Sequence, residues 1–166
     1  MRTIRIPYPE LDKEALDRLL ARDVSATLAF VDKDGFPRMV PCWFLWRDGA
    51  FHVSSLVDKY HVRCLRANPR ASICVEHEEI DVGHRRTNRQ AKAVGIIEFC
   101  DRDVEEWTRT IREKYLTVTG LCEPVAASRE GAPVAARSDR PASEARVILR
   151  LRPRKLTAHG GSIERV

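Results

Sequence analysis

The sequence predicts a mainly β protein: an antiparallel barrel of six or seven strands with helices inserted between them. Short runs rich in β-branched and aromatic residues recur between turn-forming pairs such as Asp34-Gly35 and Asp48-Gly49. The helical stretches are inserted among these runs rather than alternating with them, as a doubly wound sheet would require. Neither Gly-x-Gly-x-x-Gly nor Gly-x-x-x-x-Gly-Lys occurs, which further disfavours a dinucleotide or P-loop fold.

In PELDKEALDRLLAR, Ala15, Leu16, Leu19 and Leu20 recur at helical spacing opposite Asp12, Lys13, Asp17 and Arg18, so this stretch is read as a helix lying on a sheet. Strand residues Thr27 to Val31 lead into Asp34-Gly35, a pair that accepts positive φ and turns a hairpin. The return strand is read as Met39 to Trp46. Pro41 inside it requires an edge, a bulge or an end to pairing. Arg47-Asp48-Gly49 turns into AFHVSS, the third strand. A short basic helix follows, with Asp58 as its N-cap and Asn68-Pro69 as its stop.

RASICVEHEE is the fourth strand, IDVGHRRTNRQ a polar loop, and QAKAVGIIEFC a fifth strand in which Gly95 marks a bulge or a close approach. DRDVEEWTRTIREKYL is an amphipathic helix. Asp103 and Glu106 have capping-box spacing, and Val104, Trp107, Ile111 and Tyr115 form the apolar stripe. Residues 119–143, rich in Ala, Pro, Ser, Gly and Arg without a period, are read as a long loop or lid. EARVILRLRPRKLTAHGG ends the fold with two β-like runs divided near Pro153.

A chain of 166 residues fits one domain, residues 1–166. At that size a core buries roughly two thirds of the unfolded surface, so neither disulfide nor metal is needed to hold it. The five cysteines (Cys42, Cys64, Cys74, Cys100, Cys122) form no Cys-x-x-Cys pair, and the histidines show no ligand spacing with them, so no metal site is expected. The N-terminal stretch lacks an apolar run long enough for a signal peptide, no stretch approaches a membrane span, and a cytoplasmic protein is expected. The net charge of +5 suits a phosphorylated ligand. It is spread along the chain, and Trp43, Phe44 and Trp46 lack interleaved cations, which disfavours nucleic acid.

Three stretches carry candidate chemistry. Ser54 and Ser55 end a strand where a basic helical turn begins with Lys59, Tyr60, His61 and Arg63. A helix start offers unpaired N–H groups, and hydroxyls and cations beside it suit a phosphate. In NRQAKAVG, alternation projects Gln90 and Lys92 together from one strand face, an amide and a cation suited to a phosphate or polyol. In RMVPCWFLW, the proline-interrupted strand leaves main-chain donors and acceptors free beside the flat face of Trp43, an arrangement that suits a planar heterocycle. Taken singly, each also reads as an ordinary solvated or core strand.

The order of these pieces resembles the pyridoxamine 5′-phosphate oxidase-like superfamily of flavin- and deazaflavin-binding split β-barrels. The resemblance covers about Ala15 to Phe99. It rests on ATLAFVDKDGFPRMVPCWFLWRDGAFHVSS, HVRCLRANPRASICVE and NRQAKAVGIIE. It implies a split barrel and a homodimer with the cofactor between two barrels. Arg38, Val40, Pro41, Cys42 and Trp43 would lie along the isoalloxazine ring and ribityl chain. Ser54, Ser55 and the basic helix (Lys59, Tyr60, His61, Arg63) would hold the phosphate, and Gln90 and Lys92 would contact the cofactor.

The sequence departs from the family pattern at several points. His61 falls where the family has its phosphate lysine and Tyr60 where it has an arginine, so Lys59 is the substitute expected. Cys64 replaces a common asparagine, and the C-terminal stretch lacks the Trp- and Arg-bearing end of the true oxidase, so pyridoxamine phosphate oxidation is not expected. The resemblance implies an FMN-dependent oxidoreductase that passes hydride or electrons to a small molecule, with no catalytic side chain assigned. The alternatives are an 8-hydroxy-5-deazaflavin coenzyme in place of FMN, or a non-catalytic flavin- or haem-binding protein.

Overall fold

A computed structural model of the chain describes residues 9–80, 86–116 and 145–163. The expected lid, 119–143, lies outside the described residues. In chain order the elements are α1 (Lys13–Ala21), β1 (Ala26–Val31), β2 (Pro37–Cys42), β3 (Leu45–Arg47), β4 (Ala50–Leu56), α2 (Tyr60–Ala67), β5 (Arg70–Ile80), β6 (Arg86–Cys100), α3 (Val104–Leu116) and β7 (Arg146–Ile163). The seven strands form one sheet in the order β2-β1-β5-β6-β7-β4-β3, and every pairing is antiparallel.

This order makes the sheet a split barrel. β2 and β3 stand at its opposite ends, yet only Trp43 and Phe44 separate them in the chain. Three Cα steps span at most about 11 Å, so the sheet has to curl until its edges approach. The curl stays open on one side. β3 pairs only with Ala50, Phe51 and His52 of β4. The remainder of β4, Val53 to Leu56, has β7 on one side and no strand on the other among the described residues. The outer edge of β2 is likewise unpaired there.

Alternation sends Leu28, Ile73, Val75, Ala91, Ala93, Leu149, Leu151, Phe51 and Val53 inward to one core. α1 buries Leu19 and Leu20 in that core, and the Asp12 carboxylate caps it by accepting from the Ala15 N–H at 2.7 Å. α3 packs outside, on β4 and β7. It buries Ile111 and Tyr115, covers Ile148, and stacks Trp107 on the buried His52 ring at 4.1 Å.

Two turns form as the sequence indicates. Asp32 accepts the Asp34 and Phe36 N–H groups on its carboxylate, which closes the first hairpin. Asp48 (φ 53°) and Gly49 (φ 71°) both adopt the left-handed region that a two-residue hairpin needs. Gly95 is both a bulge and a close approach. The register shifts between Val94 and Gly95, and a Cβ there would stand 2.8 Å from the Arg152 carbonyl oxygen.

Four expectations are corrected. The return strand Met39–Trp46 is two strands, because the Phe44 side chain is fully buried and its N–H donates to Tyr115 Oη, which takes the chain across the split instead of along it. The last two runs are one strand, β7. Pro153 sits opposite Gly95 at the bulge, where its missing N–H costs no ladder bond.

The polar stretch after Ile80 is largely strand from Arg86 onward. Cross-strand polar pairs hold it, Asn88 to Glu76 at 2.9 Å and Arg86 to Glu78 at 3.3 Å, where apolar alternation gave no signal. Finally, the N-cap of α2 is Lys59, with no side-chain cap bond; Asp58 instead offers its carbonyl to the Arg63 guanidinium at 2.6 Å.

Candidate functional site

A cavity of about 360 Å³ opens at the split, between the free edge of β2 and the unpaired part of β4. Leu28, Val40, Cys42, Val53 and Ser55 reach it from the strands facing the core, and Pro41, Trp43, Ser54, Leu56, Lys59, His61 and Arg146 form the rest of its wall. Its volume is that of a small-molecule site.

The strand period separates the two serines. Ser55 points inward, and its hydroxyl lies 2.8 Å from His61 Nε2. Ser54 points outward, 2.7 Å from the Thr108 hydroxyl of α3. Register brings Arg146, at the start of β7, beside Leu56, where its Nε donates to Ser54 Oγ at 2.9 Å. Burial and the neighbouring Arg112 push the Arg146 guanidinium below its ordinary value. Burial and the Lys59 charge push His61 below 6.5, so at neutral pH its imidazole is uncharged. The fixed positive charge at the cavity is therefore carried by Lys59 and Arg146, and neither has a carboxylate partner among the described residues.

The opposite wall is flat and apolar. Trp43 is 43% exposed and stacks on Tyr115, with ring centroids 4.7 Å apart and planes 6° apart. Burial pushes the Cys42 thiol up to about 12, so while the split is closed over it the thiol stays protonated and lacks the thiolate a nucleophile needs, and it gains reactivity only when the split opens. Charge and hydroxyls at one end, a free strand edge and an aromatic face at the other, suit a ligand that is anionic at one end and planar at the other.

Eight of the thirteen residues named from sequence line this cavity: Val40, Pro41, Cys42, Trp43, Ser54, Ser55, Lys59 and His61. The other five lie elsewhere. Arg38 is exposed and 3.8 Å from Asp32. Tyr60 packs edge-on against Phe30, and Arg63 is turned to the Asp58 carbonyl. Gln90 and Lys92 do share a face of β6, as expected, but it is the outer one, opposite Glu76 and Cys74. Sequence reasoning missed Arg146, 92 positions from Ser54, because only the β4–β7 pairing joins them. It also missed Tyr115 as the support for Trp43, although it placed Tyr115 on the apolar stripe of its helix.

Among the described residues no group of three or more His, Cys, Asp or Glu is placed to hold a metal ion, and no helix is long and apolar enough to cross a membrane.

The family described as pyridoxamine 5′-phosphate oxidase matches residues 12–160, well past Phe99 and through most of β7. The chain belongs to this family. No curated protein matches it. Among solved structures it is similar to an F420 reductase (20% identity, 84% of this chain and 94% of that one, TM-score 0.55). It is also similar to a conserved hypothetical protein from Mycobacterium tuberculosis (18%, 95% and 88%, TM-score 0.65). A third is an FAD and haem binding protein from Mycobacterium smegmatis (17%, 90% and 71%, TM-score 0.62). At such identities the likeness is one of fold.

Proposed function

We propose that the cavity at the split binds a flavin-type cofactor, FMN in the first instance, and that the chain is an oxidoreductase acting on a small molecule. The observation that carries this reading is a pair of cations with no carboxylate partner among the described residues, Lys59 and Arg146, beside the Ser54 and Ser55 hydroxyls and across from Trp43. Those groups fit a phosphate at one end, and the free edge of β2 with the Trp43 face fits a ring at the other. Family membership supports the same reading. When bound, the flavin supplies hydride or electron transfer. The chain's own part is to hold the phosphate, orient the ring and exclude water. A deazaflavin coenzyme would place its phosphate on the same cations, and one similar fold is an F420 reductase.

Titration with FMN, riboflavin, the 8-hydroxy-5-deazaflavin coenzyme and haemin, read in the visible, tests the reading. FMN or the deazaflavin coenzyme should bind, with FMN tighter than riboflavin by about tenfold or more, the worth of one charge-assisted contact. Arg146→Ala should remove most of that preference while leaving riboflavin binding nearly unchanged. Equal affinity for FMN and riboflavin would contradict the assignment of the phosphate, and binding of haemin alone would replace the reading by that of a haem protein.

We also propose that the functional form is a homodimer built on the outer face of β2, β1, β5 and β6. Alternation puts Pro37, Met39, Ala29, Val31, Val94 and Ile96 on that face, with Met39 75% and Val94 46% exposed. A groove of about 410 Å³ runs along it, flanked by Arg70 and Arg154. Exposed apolar side chains gathered along a groove favour a protein partner. Gln90 and Lys92 stand on the same side and cannot reach their own chain's cavity, so a second copy gives them a ligand to meet.

A further inference from the structure

One helix grips both walls of the split. At the N-terminal half of α3, Thr108 Oγ1 is 2.7 Å from Ser54 Oγ on the β4 wall. Two turns later, about 10 Å along the axis, Lys114 and Tyr115 hold the crossover that carries Trp43. Tyr115 Oη accepts the Phe44 N–H at 3.0 Å and lies 3.1 Å from the Val24 carbonyl oxygen. Lys114 Nζ donates to the Phe44 carbonyl at 3.2 Å and to the Leu20 carbonyl at the end of α1 at 3.0 Å, and it sits 3.6 Å from the centre of the Phe44 ring. Both main-chain polar groups of Phe44 are thus met by side chains of α3, and neither belongs to a strand ladder. Trp43, one residue earlier, has one ring face fixed on Tyr115.

A barrel whose edges are not hydrogen-bonded to each other has no ladder to fix the gap between them. We infer that α3 sets that gap, and that Thr108, Lys114 and Tyr115 are positioning residues: they fix the width of the cavity and the angle of Trp43. Their hydrogen bonds run to Ser54, to Phe44, and to Leu20 and Val24 at and just after the end of α1, so they act through Ser54 and the Trp43–Phe44 crossover. The role of a ring against Trp43 rests on the flavin reading; the spacing of the walls does not.

The full-length chain without added flavin supplies the test. Cys42 lines the cavity, and Cys64, on the buried face of α2, does not. Alkylation of each thiol by a maleimide, followed by peptide mass spectrometry, reports opening of the split against opening of the whole fold. In Tyr115→Phe, Lys114→Met and Thr108→Val, labelling of Cys42 is expected to rise about fivefold or more, as follows from losing a hydrogen bond to a buried group. Cys64 labelling should stay at the wild-type rate. Unchanged Cys42 rates in all three, or rates that rise only in step with Cys64, would overturn the inference. Visible-band circular dichroism of added FMN gives a second readout, expected to change in Tyr115→Phe. If the wild type binds no flavin, the flavin reading fails, while the thiol rates still decide whether α3 holds the gap.

Discussion

At the scale of single residues, charge decides which groups at the cavity do what. His61 stands where the family resemblance puts the phosphate contact, but burial and Lys59 keep it uncharged at neutral pH, so in the proposed site Lys59 and Arg146 would take the anion. His52, buried against Trp107, is held below 6.5 by burial as well. The unfolded chain therefore takes up protons at both histidines before the folded one does. Their contribution to stability is complete above about pH 6.5 and falls as pH drops through that value and towards their lower folded values.

Denaturation midpoints measured from about pH 5 to pH 7.5 should decline on the acid side, and His52→Gln should flatten that decline. Lys114 works in the alkaline range: burial pushes its amine from 10.5 to about 8, so folded protein gives up this proton first and stability from this group rises between those two values. Lys114→Met should remove that rise in the same measurement. The residues of the cavity that sequence made legible are those close together in the chain, Val40 to Trp43 and then Ser54, Ser55, Lys59 and His61. Arg146 was not, since its place depends on a pairing between distant strands.

At the scale of elements, the turns and strands with an apolar period were readable, and the errors fall where tertiary contacts override local pattern. The stretch from Met39 to Trp46 has the composition of one strand. Only the distant Tyr115 and Lys114, by taking the N–H and carbonyl of Phe44, divide it into β2 and β3. The polar ends of β5 and β6 carry no apolar alternation, and they pair through Asn88, Arg86 and their glutamates instead. Gly95 was readable as a glycine in a strand interior, and its reason is the Arg152 carbonyl across the bulge. Gly95→Val should destabilise the fold by about 1–3 kcal/mol, the cost of forcing atoms into a filled site, measurable by urea denaturation. A midpoint equal to wild type would show that β7 can move aside.

At the scale of the whole molecule, the sheet is a barrel left open on one side, with a helix holding the gap and an apolar face turned outward. The openness puts a cavity with free strand edges into a fold that would otherwise close on itself, and the outer face is where the proposed second copy would bind. Met39→Glu places a charge in that face and should convert a dimer to a monomer in sedimentation, with weaker flavin binding and a melting temperature that no longer depends on protein concentration; a wild-type chain that sediments as a monomer would remove the dimer. The central claim is the location of the flavin, and the alkylation rate of Cys42 with and without FMN tests it most directly. FMN should slow that rate along its own binding curve, with riboflavin effective only at higher concentration and Cys100, at the end of β6, unaffected. Saturating FMN that leaves Cys42 as reactive as before would place the cofactor outside the split and contradict the account.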